Sequence, residues 1–179
     1  MHGRQLLWVG SIVFGGALLL RIGILPQETT GKNRRLFLDP DLKSYKEPVL
    51  ISACLLGIPC RWHGQRPKRR DKLMETLKRK YVLVPVCPEQ LGGMPTPRTS
   101  EYLQGTGAQV LDNELKVIVP ETGKDVTAYY INGAKYTLEI AEIVGARKAY
   151  LKSGSPACDV KGVTGELLTR AGIRVIKVP

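Results

Sequence analysis

Histidine is nearly absent from this chain: 179 residues contain two, His2 and His63. That leaves little room for a metal site built on imidazoles. Cysteine is scarce as well, with Cys54, Cys60, Cys87 and Cys158 and no Cys-x-x-Cys spacing among them. Four are too few for a secreted disulfide scaffold, and the spacing is not that of a zinc finger. Acidic residues are outnumbered, 16 Asp and Glu against 27 Lys and Arg, for a formal net charge of +11. Long apolar runs are lacking apart from Leu6 to Leu20, fifteen residues between Arg4 and Arg21. About twenty are needed to span a bilayer, although Ile22 to Leu25 extend the run past Arg21. It is similar to the apolar part of a signal peptide, but no small-x-small cleavage site follows. Positive charge is heavier after the run (Arg21, Lys32, Arg34, Arg35) than before it (Arg4), so insertion would leave the rest in the cytoplasm. A membrane tether through residues 6–25, a disordered leader and residues upstream of the true start all fit.

What the chain does have is core material. At 43% hydrophobic residues it can bury a sizeable core without disulfide staples, and its length suits one domain with an appendage. Residues 1–25 read as the hydrophobic leader or membrane segment and 26–47 as a polar linker holding Pro40. Residues 48–179 read as a cytoplasmic domain. There the pattern alternates. Val49 to Ser52 is a short apolar strand, and Lys68 to Lys80 spaces Leu73, Met74 and Leu77 as a helix. Tyr81 to Val86 is a β-branched run that reads as a buried strand. Pro88, Gly92, Gly93, Pro95 and Pro97 then argue against regular structure for about ten residues. The stretch from Arg98 to Asp125 is irregular, with Lys116 to Val119 as an edge strand. Thr127 to Val144 is a helix stopped by Gly145. Lys148 to Leu151 is a strand, Gly165 to Ala171 a helix, and Ile173 to Val178 a closing strand. Strand, helix, strand in repetition predicts a single Rossmann-like α/β domain with a mainly parallel sheet.

Parallel strands share one C-terminal edge, where open α/β sheets place ligands. Cys54, Cys87 and Cys158 each fall just past a strand's end, in loops of small or rigid residues, and so are expected along that edge. Three converging thiols suit an iron–sulfur or zinc site, a nucleophile with partners, or buried packing, since free cysteine is among the most buried residues. Cys60, beside Ile58 and Pro59, reads as incidental; pairing with Cys54 in a zinc or redox site is the other reading. Arg61 to Lys80 holds nine Arg and Lys against Asp71 and Glu75, a local charge of +7. Such a run is a solvated helix face or attracts nucleic acid, nucleotides or acidic lipid. Only Trp62 interleaves with it, which weakens a stacking platform for nucleic acid.

Six stretches carry a resemblance: Ser52 to Gly57, Arg61 to Gly64, Cys87-Pro88-Glu89 through Pro95-Thr96-Pro97-Arg98, Asp125-Val126-Thr127, Gly133-Ala134, and Leu151 to Cys158. In this order they resemble the motifs of the 2-thiouracil desulfurase family, a bacterial family long catalogued as a domain of unknown function. The likeness runs from about Pro48 to Pro179. It implies a 4Fe-4S cluster held by Cys54, Cys87 and Cys158, with the fourth iron open to a substrate's sulfur. It also implies sulfide release from a thiolated nucleobase or similar thioamide by water, without net redox change, and dependence on iron–sulfur assembly machinery. Glu89, two residues from a ligand, is the candidate general acid/base, or else a salt-bridge partner of Arg98. Ser155 would orient substrate or water, or else cap a turn beside Pro156. Arg61 and Arg98 would meet a substrate oxygen, or only solvent. This chain departs from the family pattern twice. Asp159 follows the third cysteine where glycine is usual, ahead of a shortened loop, and His63 precedes the first-loop glycine. An aspartate there would add negative charge beside a cluster and disturb the pocket.

Overall fold

A computed structural model of the chain describes residues 45–179, so the expected leader and linker lie almost entirely outside the described residues. Four strands, β1 (Glu47–Ser52), β2 (Tyr81–Val86), β3 (Lys148–Lys152) and β4 (Arg174–Val178), form one sheet in the order β2-β1-β3-β4. Every pairing is parallel, with Leu50 opposite Val84 on β2 and Ala149 on β3. The expected α/β fold is therefore present, and all strand C-terminal ends share one edge. Among the described residues no helix is long and apolar enough to cross a membrane.

Side chains alternate across a strand, and β1 uses both faces. Ile51 joins Leu55, Val178 and the buried Met74 and Leu77 of α1 (Asp71–Lys80). Leu50 joins Ala149, Leu151 and Val86 beneath α4 (Thr127–Val144) and α5 (Val163–Arg170). Both Leu50 and Ile51 are fully buried, which contributes about 1.5–3 kcal/mol each. A separate apolar cluster, with Val110, Val117, Val126 and Tyr130 at its centre, lies under the long connection ahead of α4. It gives that irregular stretch a core of its own.

Several boundaries differ from the sequence expectation, each for a physical reason. Helix α1 starts at Asp71, not Lys68: the acidic residue occupies the first turn and Lys78, Arg79 and Lys80 the last, as the helix dipole favours. Strand β2 is half exposed, with only Val86 buried, because it is an edge strand. Pro85, which cannot donate to a ladder, is tolerated there. The proline- and glycine-rich loop does contain a helical turn, α2 (Pro88–Leu91), because proline suits the first helical position. A helix α3 (Gly107–Leu111) follows Thr106, whose side chain and that of Gln109 make a reciprocal capping box. The expected strand over 116–119 is reduced to isolated bridges from Ile118 to Tyr102 and Asp125.

Candidate functional site

Three loops at the C-terminal edge carry the chemistry. After β1 the chain makes one 3-10 turn, Ala53–Leu56, carrying Cys54. Gly57 ends the turn at φ +83°, a conformation open to glycine at little cost. Its N–H donates to the Cys54 carbonyl at 3.2 Å. The chain then returns Cys60 to the same edge. After β2, Cys87 precedes α2, and the backbone of α2 lies directly on α4. A Cβ on Gly92 would overlap the Tyr129 carbonyl, and one on Gly133 the Pro88 carbonyl. These two glycines allow the close approach that fixes Cys87 and Glu89. After β3, Ser155 Oγ accepts from the Cys158 N–H at 3.0 Å, and Ser52 Oγ accepts from the Lys152 N–H at 2.9 Å, tying the ends of β1 and β3 together.

The loops enclose a cavity of about 420 Å³ lined by all four cysteines, Glu89, Arg98 and Ser155, with Arg61, Trp62 and His63 at its wall. Cys54, Cys87 and Cys158 thus converge as strand topology predicts. Cys60 is buried among them, beside the thiols of Cys54 and Cys87. Among the described residues no three His, Cys, Asp or Glu side chains close tightly enough on one point for a single metal ion. The thiols line a shared space. Thiolates facing a shared cavity are a donor set suited to an iron–sulfur cluster.

The thiols differ in acidity. Cys54 is lowered to about 7, chiefly by the Cys60 thiol and with help from Arg61, against the effect of its own burial. Cys60 is raised, first by Cys54 and then by Cys87. Cys158 is raised by burial and by the charge of Glu89, with Ser52 acting in the opposite sense.

Glu89 sits at the junction of two of these loops. Its Oε2 accepts from the Cys87 thiol at 3.5 Å, and its Oε1 accepts from the Ser155 hydroxyl at 3.4 Å. Arg98 Nη2 lies 3.4 Å from the same Oε1, and Arg98 Nε lies 3.4 Å from Glu101 Oε1. The Arg98 and Glu101 side chains are each only 5% exposed, so one guanidinium is shared between two buried carboxylates. Its Nη1 also donates to the Cys60 carbonyl at 3.3 Å. Burial raises the Glu101 carboxyl and Arg98 opposes that rise; the Tyr130 hydroxyl donates to Glu101 at 3.5 Å.

Both sequence readings of Glu89 and of Ser155 are compatible with this geometry: Glu89 faces the cavity and pairs with Arg98, and Ser155 caps a turn while touching Glu89. Arg98 lines the cavity, with Nη1 on the Cys60 and Pro95 carbonyls and Nη2 beside Glu89, while its buried Nε has no hydrogen-bond partner. Arg61 stays open. It also borders a second cavity of about 330 Å³, shared with Cys54 and Lys152 and lined by Lys68, Arg69 and Arg70. Part of the basic run is thus a cationic recess beside the thiols, and not only a solvated helix face. Lys152 is lowered by burial and then by Arg61. His63 Nδ1 accepts from the Gln65 N–H at 3.0 Å and its ring meets Trp62 edge-on at 5.0 Å.

Asp159, expected to add negative charge beside the thiols, is tied into its own loop: its carboxylate accepts from the Gly154 and Lys161 N–H groups, 3.6 Å from Lys177 Nζ. Burial alone would raise it; these donors hold it below the usual aspartate range. Cys60, Glu101 and Lys152 belong to the site although sequence pattern did not select them. The Cys54 to Cys60 spacing was a visible signal for the first, whereas Glu101 has none.

A family model described as 2-thiouracil desulfurase matches residues 49–177. The chain belongs to the 2-thiouracil desulfurase family. An uncharacterized protein of Bacillus subtilis (strain 168), YbbK, is 38% identical over 144 residues, which is 72% of this chain and 93% of that protein. Among solved structures, a 4Fe-4S-dependent thiouracil desulfidase, TudS, is similar at a TM-score of 0.64 and 34% identity, covering 74% of this chain and 91% of that one. The matched span takes in every loop of the thiol cavity, so the family resemblance and the site coincide.

Proposed function

We propose that this chain is a 4Fe-4S-dependent desulfurase that converts the C=S group of a thiolated nucleobase or related thioamide to C=O, with water consumed and sulfide released. The observation that carries the reading is the convergence of Cys54, Cys87 and Cys158, from three separate strand ends, on one cavity beside a buried carboxylate. Those three thiols would hold the cluster, with Cys60 lining the same cavity. When bound, such a cluster supplies a soft Lewis-acidic iron for the substrate's sulfur, which opens the thiocarbonyl carbon to water without net redox change. Glu89 takes the proton from the attacking water at its carboxylate and returns it to the leaving group. Ser155 and Arg98 hold that carboxylate in place, both at its Oε1. Trp62, 49% exposed at the cavity wall, offers a flat face for a planar ring. The adjoining cationic recess suits an anionic group carried by the same substrate. Free base, nucleoside and nucleotide forms are therefore worth comparing.

Anaerobic reconstitution followed by iron analysis and sulfide assay on thionucleobases tests this. Cys54→Ser, Cys87→Ser and Cys158→Ser are expected to lose iron, whereas Cys60→Ser keeps it. Glu89→Gln is expected to keep iron and lose sulfide release. Equal iron loss in all four cysteine variants, or full turnover by Glu89→Gln, overturns the assignment.

A further inference from the structure

Cys60 is the one cysteine of the cavity that the proposed ligand set leaves unused. It is buried at 3% exposure and lines the same cavity as Cys54. The two are joined by one short loop, which Gly57 turns back with its N–H on the Cys54 carbonyl. Cys87 is engaged differently: its thiol donates to Glu89 Oε2 at 3.5 Å and to the Cys60 carbonyl at 3.7 Å. Cys158 is buried, at 5% exposure. Cys54 alone combines three properties: partial exposure, an opening onto both cavities, and a second thiol at its side.

We propose that Cys54 and Cys60 form a reversible disulfide when the thiol cavity is not loaded, a redox lock that withdraws one ligand until it is reduced. The oxidant is a hydroperoxide, small enough to enter either cavity. Cys54 sulfur attacks one peroxide oxygen, so an S–O bond forms as the O–O bond breaks and water leaves. Cys60 sulfur then attacks the Cys54 sulfenic acid, so the S–S bond forms as the S–O bond breaks and a second water leaves. The two thiols lose two electrons and two protons, and hydrogen peroxide becomes two waters. Cys60 is the resolving thiol, which keeps Cys54 from irreversible oxidation. Cys87 and Cys158 stay reduced, so one reductive exchange reopens the site. The lock rests on Cys54 being a cluster ligand; the bridge itself does not.

Full-length protein purified without its cluster and treated anaerobically with hydrogen peroxide provides the test. After free thiols are blocked, peptide mapping by mass spectrometry should find Cys54 linked to Cys60, with Cys87 and Cys158 alkylated. Dithiothreitol should reverse the link. The oxidised protein should fail to take up iron until it is reduced. Cys60→Ala and the milder Cys60→Ser should both lose the bridge and accumulate over-oxidised Cys54. A bridge from Cys60 to Cys87, or four thiols still blockable after peroxide, overturns the proposal. So does an oxidised protein that loads iron unreduced. Iron uptake by reduced Cys54→Ser separates the two ideas: normal uptake removes Cys54 from the ligand set and leaves the bridge standing.

Discussion

Replacing Arg98 by methionine should do more damage than a single lost ion pair suggests. The guanidinium lies between Glu89 and Glu101, at 3.4 Å from each, with side-chain exposures of 5% for Arg98 and 11% and 5% for the two carboxylates. Methionine fills much of the volume but leaves both carboxylates without their cation. Removing one partner of a buried pair costs about 3–5 kcal/mol, or a fall in Tm of roughly 10 °C for a chain of this size. The sign with pH is fixed by Glu101, whose carboxyl is raised from the usual 4.5, chiefly by burial, even with Arg98 present. A raised carboxyl is most favourable to the folded state below its unfolded value, and that advantage is lost as pH rises through the folded value. Arg98 lowers that folded value, so its loss raises Glu101 further and enlarges the penalty at alkaline pH. Urea denaturation of cluster-free protein should therefore show Arg98→Met most destabilised near pH 8 and partly recovered near pH 5. Adding Glu101→Gln to Arg98→Met should recover much of the loss at pH 8, because the amide carries no charge to desolvate. An equal loss at both pH values, or no recovery with Glu101→Gln, would refute the buried-charge argument and leave packing as the cause.

Three further outcomes follow from the same geometry. In cluster-free protein, alkylation of Cys54 should rise through about pH 7, and Cys60→Ala should move that midpoint up, since the Cys60 thiol is the largest cause of the lowering; peptide-resolved iodoacetamide rates measure it. Gly133→Ala should destabilise by about 1–3 kcal/mol, the usual cost of forcing a methyl into filled space, because its Cβ would overlap the Pro88 carbonyl; thermal unfolding checks this, and an unchanged Tm contradicts the close packing. Asp125→Ala should cost about 1 kcal/mol as the loss of one hydrogen bond, since Asp125 Oδ1, just ahead of the N-cap Val126, accepts from the Thr127 N–H at 2.9 Å. The Asp125 carboxyl is lowered to about 2, first by Thr127 and then by Lys116, so its contribution is present above pH 3.8 and lost as pH falls through about 2; acid titration of unfolding reads that loss.

The sheet was legible because its signals are local. Tyr81 to Val86 is a β-branched run that ends at a cysteine, and Thr127 to Val144 keeps helical register up to a glycine with φ +70°. With the strands in place, parallel topology alone carries Cys54, Cys87 and Cys158 to one edge. The capping box at Thr106 and Gln109 was equally visible in principle, but a five-residue helix between irregular stretches has too little apolar periodicity to stand out. Glu101 was not legible: no motif sets it apart from a surface charge, and only the packing of Tyr130 and Arg98 on it makes it part of the site. Lys152 falls inside the Leu151 to Cys158 stretch, but only the thiol cavity beside it gives it a place. Cys60 read as incidental because Ile58 and Pro59 suggest a packed turn; that it lines the thiol cavity depends on a backbone angle at Gly57 that pattern does not give.

The third cysteine loop shows why a departure in sequence need not be a departure in geometry. Asp159 stands where the family usually has glycine, and the segment before α5 is short, which on charge alone argued for a disturbed cavity. Instead the carboxylate reaches back to the Gly154 N–H and forward to the Lys161 N–H, spanning Cys158 from one side to the other. The backbone behind it is just as tightly held: a Cβ on Gly162 would meet the Ala157 carbonyl, and one on Gly165 the Asp159 carbonyl. Gly162 N–H donates to the Asp159 carbonyl at 2.7 Å, and Thr164 N–H to the Ala157 carbonyl at 2.9 Å. This loop holds Cys158 by an aspartate clasp and by the start of α5, with Lys177 Nζ 3.6 Å from the carboxylate. The charge that looked adverse in sequence is thus also the one that closes the loop.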